Sequence, residues 1–226
     1  MQGIRSIQKG LDDQQQRIDN PRPQSREVFP KDGDQVFISS LATGHDDDNK
    51  LAQIQLYTFR GPNGWTNLMK HKDVDESGLP EEARLQRKFA FWAYVHEITH
   101  AFNPNNLEWE VIEGAMGRKV FKETINDFKL ISLGFGRGNY LWNQLTDVYG
   151  EWGSLDKGVI RIKRSGQELA TTYQITGTTR TDGIPKAKMD EIKDLPGVEE
   201  YYMERYGKMP EQSELNINAG EDGKQF

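Results

Sequence analysis

The sequence predicts a mainly β protein of the α+β kind: a small barrel or Greek-key sheet carrying one or two inserted helices. Two observations predict it. Short runs of alternating apolar and polar residues recur along the chain, bounded by Gly, Pro, Asn or Asp turn signals. These runs follow one another instead of alternating with helical segments, which disfavours a parallel α/β sheet. A third observation restricts the chemistry. The 226 residues include no cysteine, so no disulfide scaffold, thiolate zinc site, iron–sulfur cluster or cysteine nucleophile can be built.

Residues 1–27 are expected to form a flexible arm, rich in Gln, Asp and Arg and thinly seeded with Ile4, Ile7, Leu11 and Ile18. The core is expected over residues 28–180. It opens at Val28-Phe29-Pro30, and the Asp32-Gly33 turn leads into a strand over 35–41. Residues 43–50, with Asp46, Asp47 and Asp48, read as a loop. A second strand over 53–60 places Ile54, Leu56 and Thr58 on one face and Gln53, Gln55, Tyr57 and Phe59 on the other. A turn over 61–64 introduces Trp65 and a polar segment reaching Arg87.

Residues 88–102 are dominated by Phe, Trp, Tyr, Val, Ile and Thr and favour a strand, which a turn over 103–106 joins to an alternating run over 107–113 as a hairpin. After Gly114 the period changes. Val120, Phe121, Thr124, Ile125 and Phe128 fit one helix, and Leu141, Leu145 and Val148 a second. Between them residues 134–138 lack the G-x-G-x-x-G spacing of a phosphate loop and read as an interhelical turn. A last hairpin pairs 158–164 with 171–176 around Ser165-Gly166-Gln167. Residues 181–226 form an acidic C-terminal region with a short helix over 198–206.

Charge is unevenly spread. The whole chain carries −6, but residues 1–50 carry −2, residues 51–180 carry +1 and residues 181–226 carry −5. An acidic sum therefore does not exclude nucleic acid, because binding responds to the local face. No run approaches the ~18–20 apolar residues of a membrane span, and the N-terminus lacks the apolar core of a secretory signal. A soluble, cytoplasmic protein without membrane contact is expected.

Two constellations carry chemistry. His96-Glu97-Ile98-Thr99-His100 spells H-E-x-x-H, the zinc metallopeptidase signature, which works only on a helix, where both histidines face one metal and the Glu serves as general base. The β-rich run before it instead predicts a strand, on which the two histidines lie about 13 Å apart. The second constellation suits single-stranded nucleic acid. On 159–164, Ile160 and Ile162 point one way and Arg161 and Lys163 the other, while the strand over 53–60 offers Tyr57 and Phe59 near Arg60, Lys70, Lys72, Arg87 and Lys88. Aromatics beside cations are what base stacking and phosphate neutralisation require.

Val28-Phe-Pro-Lys-Asp-Gly-Asp34, Lys88-Phe-Ala-Phe-Trp-Ala-Tyr-Val95, Trp109-Glu-Val-Ile-Glu-Gly114, Ile160-Arg-Ile-Lys-Arg-Ser-Gly166, Thr171-Thr-Tyr-Gln-Ile175 and Leu195-Pro-Gly-Val-Glu-Glu-Tyr-Tyr-Met-Glu-Arg-Tyr206 resemble, discontinuously, phage single-stranded DNA-binding proteins. They look like distant relatives of the T-even phage helix-destabilising protein. The resemblance implies an OB-like barrel and no enzymatic activity. It also implies coating of single-stranded DNA during phage replication, recombination and repair in the host cytoplasm, with partner proteins recruited by an acidic C-terminal tail. Bases would stack on Tyr57, Phe59, Trp65 and Trp92, while Arg60, Lys70, Lys72, Lys88, Arg161, Lys163 and Arg164 neutralise phosphates. No cofactor is expected. T-even members hold a His and three Cys around zinc in the region that here spans His71 to Arg87, and this chain supplies only His71. That loop must be held together differently.

Overall fold

The computed structural model describes residues 26–28, 30–44, 49–61, 64–103, 108–114, 117–134, 140–166 and 171–208. Most of the expected arm, the Asp46–Asp48 loop, four residues of the glycine-rich connector and the acidic terminus beyond residue 208 lie outside them. The described chain is mainly β, with one sheet curled into a half-barrel and few helices. In chain order the elements are β1 (Glu27–Val28), β2 (Gln35–Ser40), β3 (Leu51–Gly61), β4 (Gly64–Met69), β5 (Arg84–His100), β6 (Glu110–Glu113), β7 (Lys119–Gly134), α1 (Tyr140–Trp152), β8 (Val159–Ser165), β9 (Thr172–Gly177) and α2 (Val198–Tyr206).

The 17-residue β5 is the spine. One of its edges pairs with β7 from Lys88 to His100. The other pairs with β3 over its first half and with β2 over its second, and β8 and β9 extend the sheet beyond β2. Successive β5 residues alternate between two hydrophobic cores. Phe89, Phe91, Ala93 and Val95 join Val36, Ile38, Ile131, Leu133, Ile160, Ile162 and Ile175 beneath Leu141, Leu145 and Val148 of α1. Ala90, Trp92 and Tyr94 join Ile54, Leu56, Phe128 and Leu130 beneath Val198, Tyr201 and Tyr202 of α2. Burial on both faces is why β5 reads as a continuous apolar run.

Near His96 the register shifts. Phe37 faces Glu97 while its neighbour Ile38 faces Val95, so β5 carries one extra residue against β2. Opposite this point β7 shifts as well, and Asn126 adopts a φ of 49°. A bulge of this kind reverses the alternation of side chains. Glu97 and Thr99 therefore continue on the α2 side of the sheet, and Ile98 turns to the α1 side.

Several expected elements differ. Residues 120–128 are not helical but belong to β7, which is paired on both edges; β-branched and aromatic side chains suit that position. The 110–113 run pairs with β7 and not with β5. Strand β4 was hidden in the polar segment after residue 64. The β8–β9 hairpin and α2 stand where expected, and α2 with the preceding segment packs on the sheet as part of the second core.

Trp152, the last residue of α1, rests on two glycines, and a Cβ at Gly158 or Gly177 would stand 2.9 Å or 2.5 Å from its ring atoms. Gly177→Ala should therefore destabilise the fold by about 1–3 kcal/mol through overpacking. Gly183→Ala, with no atom within 4 Å, should stay within about 0.5 kcal/mol of the parent. Urea unfolding of both variants measures the contrast.

Candidate nucleic-acid interface

Strands β4, β3 and the start of β5 form a three-stranded wing whose faces differ. Register places Trp65 beside Arg60, Asn67 beside Thr58, and Thr58 beside Arg84. Thr58 donates a hydrogen bond to Asn67 Oδ1 at 2.8 Å, which ties β3 to β4 between the two cations. Ile54 and Leu56 of this same face are buried under α2, so the face runs outward from the second core into solvent. Trp65 is 76% exposed, Arg60 and Arg84 are exposed, and among the described residues neither arginine is within ion-pair distance of a carboxylate. Lys88, paired with Ile54 in register, lies half-buried at the inner margin of this patch. Burial holds its amine below the ordinary lysine value, and the nearby Glu27 opposes that shift.

The opposite face of the wing is closed. Tyr57 and Phe59 are buried with Leu68 beneath Val74, Leu79 and Ala83, so neither is available to stack a base. Trp92 is also fully buried, its ring edge-on to Tyr201 with centroids 5.5 Å apart. Lys70 lies over the Tyr57 ring at 5.6 Å and pairs with Glu76 at 2.8 Å. Lys72 is exposed on the covering loop and is separated by the sheet from Arg60 and Trp65. Arg164 lies on the core side of β8 and donates to the Pro30 carbonyl at 2.6 Å and, at 3.4 Å, to Thr171 Oγ1. It is a structural cap for the turn into β2. Arg84, which the sequence did not single out, joins the patch because β5 begins earlier than its apolar run.

Arg161 and Lys163 face away from the α1 core, as their alternation with Ile160 and Ile162 predicts. In register, Arg161 stands between Phe37 of β2 and Thr176 of β9, and Lys163 between Gln35 and Gln174. Phe37 was missed, although its alternation with the buried Val36 and Ile38 is the signal that exposes it. The two cationic patches thus occupy opposite ends of one sheet face, with α2 covering the middle.

No family model matches this chain, and no curated protein matches it. Among the described residues, no helix is long and apolar enough to cross a membrane.

The H-E-x-x-H residues end β5 as strand, and the bulge separates the two imidazoles. His96 Nε2 forms a 2.9 Å hydrogen bond with the Ser39 hydroxyl on the α2 side of the sheet. His100 stacks on Trp109 at 4.2 Å and lies 3.2 Å from Asp34 and 2.9 Å from Glu123. Glu97, the residue the motif needs as base, is ion-paired to Arg180 at 2.8 Å. Among the described residues no group of His, Asp and Glu is arranged to hold a metal ion. The helical face that shared zinc ligation requires is not formed.

The histidines titrate in opposite directions. Burial and the Arg180 charge hold His96 below the ordinary imidazole value. Burial also opposes charge on His100, but Asp34 and Glu123 outweigh it and raise the value. His100 therefore contributes stability that is full below its unfolded-state pKa, about 6.5, and is lost as pH rises through its raised folded-state pKa. His96 contributes stability that is present above about 6.5 and lost as pH falls through its depressed folded-state pKa. His100→Gln should flatten the alkaline side of the stability profile relative to the parent, and His96→Gln the acid side. Denaturation between pH 5 and pH 9, with NMR titration of the imidazoles, tests both signs.

Proposed function

We propose that the chain is a single-stranded DNA-binding protein on an OB-like barrel, coating and protecting DNA during phage replication, recombination and repair. The observation that supports it most is the open wing face. A tryptophan 76% exposed stands beside Arg60 and shares its face with Arg84, and neither cation has a carboxylate partner among the described residues. Bases stack on Trp65 while Arg60 and Arg84, with Lys88 behind them, neutralise the backbone; such stacking tolerates any base. Arg161 and Lys163 supply further phosphate contacts at the far end of the same sheet face. The net charge of −6 does not oppose this, because the acidic residues beyond 208 belong to a region that the proposal assigns to partner proteins of replication and recombination.

Adding oligo-dT at low salt should quench tryptophan fluorescence, and the absence of any binding would overturn the proposal. Trp65→Ala should lose about 1–3 kcal/mol of affinity, roughly 5- to 150-fold. Arg60→Ala and Arg84→Ala should each reduce the slope of log affinity against log salt by about 0.7.

A further inference from the structure

The second cationic patch contains an aromatic ring that is covered by one of its own arginines. Phe37 is half-buried on β2, flanked in register by Arg161 of β8 and Glu97 of β5. After β9 the chain crosses this face. Thr178 donates its backbone N–H to the Val159 carbonyl at 3.0 Å and its hydroxyl at 2.8 Å, and the Thr178 hydroxyl accepts from the Arg180 N–H at 3.2 Å. The Arg180 guanidinium then lies 5.2 Å from the Phe37 ring centroid. It donates to Glu97 Oε1 at 2.8 Å and, through Nε at 2.9 Å and a second N–H, to Asp182 Oδ2.

The carboxylates are distributed unequally. Arg180 has two, whereas neighbouring Arg161 and Lys163 have none among the described residues. A guanidinium stacked on a ring occupies the position a nucleobase would take, and carboxylate oxygens meet it as phosphate oxygens would. We propose that Phe37, Arg161, Lys163 and Arg180 form a second contact site for single-stranded DNA, which Glu97 and Asp182 keep covered by holding Arg180 over Phe37. An arriving phosphate, drawn in by Arg161 and Lys163, replaces the two carboxylates at Arg180, and the released guanidinium uncovers the ring for a base. The inference rests on the DNA-binding proposal and adds to it a site away from Trp65 and a device that regulates access to it.

The test uses the full chain and an oligo-dT in which thymidines are replaced by 5-iododeoxyuridine. Irradiation and tryptic digestion report the two sites separately, because Phe37 falls in the peptide 32–50 and Trp65 in the peptide 61–70. Crosslinks to both peptides are expected. Affinity is then measured for the parent, Phe37→Leu, the double variant Glu97→Gln with Asp182→Asn, and the triple combination. The double variant should bind at least fivefold more tightly, and this gain should vanish when Phe37 is also replaced. Crosslinks confined to 61–70 overturn the second site and leave the Trp65 interface standing. A gain that persists without Phe37 overturns the covering role and reports only the removal of negative charge. No crosslink and no binding overturn the inference together with the function it rests on. The crosslinking arm uses the unaltered chain, so a variant that folds poorly does not spoil it.

Discussion

Trp92 donates its backbone N–H to the Lys50 carbonyl and accepts from the Leu41 N–H, both at 2.9 Å. At this one residue the edge of β5 passes from β3 to β2. Two consequences follow. The sheet divides into a wing of β4, β3 and early β5 and a curled part of β2, β8 and β9, both hung on a single unbroken strand. The indole of this residue points to the α2 side, where Tyr201 and Tyr202 bury it. Helix α2 is fixed at its far end as well, since Tyr206 donates to Glu27 at 3.2 Å and His71 bonds the Gly207 carbonyl at 2.9 Å. Burial and the Glu27 charge push the Tyr206 phenol up to about 12, which suits a group that stays a donor. The covered junction separates the two cationic patches.

Legibility in the sequence followed burial. The β8–β9 hairpin is buried on one face only, so Ile160 and Ile162 alternate visibly with Arg161 and Lys163, and Gly166, at a φ of 83°, marks the turn. Strand β7 could not be recognised in the same way. Phe128 and Leu130 enter one core and Ile131 and Leu133 the other, which erases the period of two, while Val120, Phe121 and Ile125 upstream happen to fall at helical spacing. Strand β4 carries Trp65 and Asn67 on its open side, so too few of its side chains are buried to signal a strand. The bulge at His96 is a matter of register, and nothing in the local residue types announces it.

The alternation of β3 was correctly legible, but its two faces had the opposite meaning. Glutamines beside Tyr57 and Phe59 suggest an open aromatic surface, yet residues 70–83 fold over those rings. This is the region where the family resemblance implies zinc. In this chain a small apolar cluster holds the segment, with Tyr57, Phe59 and Leu68 as floor and Val74, Leu79 and Ala83 as roof. Asp75 closes the turn by accepting from the Ser77 N–H at 2.9 Å, and Lys70 and Glu76 clasp the entrance. A cysteine-free loop of this length needs such a floor, because a few polar turns alone do not offset the entropy of ordering it. Using both aromatics for that purpose leaves Trp65, on the other side of the sheet, as the exposed ring among the described aromatics of the wing.

Net charge says little about such a molecule, because its cations are not equivalent: some are already committed to carboxylates. Lys70, Lys122, Lys129, Lys188 and Lys193 each lie within about 3 Å of a carboxylate, and Arg180 has two. Exposed pairs of this kind add little stability, but each cancels a charge that would otherwise project into solvent. Arg60, Arg84, Arg161 and Lys163 have no such partner among the described residues, and they lie on one face of the sheet, two at each end. Beyond a Debye length, about 10 Å at 0.1 M salt, an anion no longer senses the overall −6 and responds to what lies in front of it. On this face that is a surplus of cations beside an exposed indole at one end and a covered phenyl ring at the other. The two ends differ in readiness: the Trp65 end is open as folded, while the Phe37 end is covered by an arginine that two carboxylates hold in place.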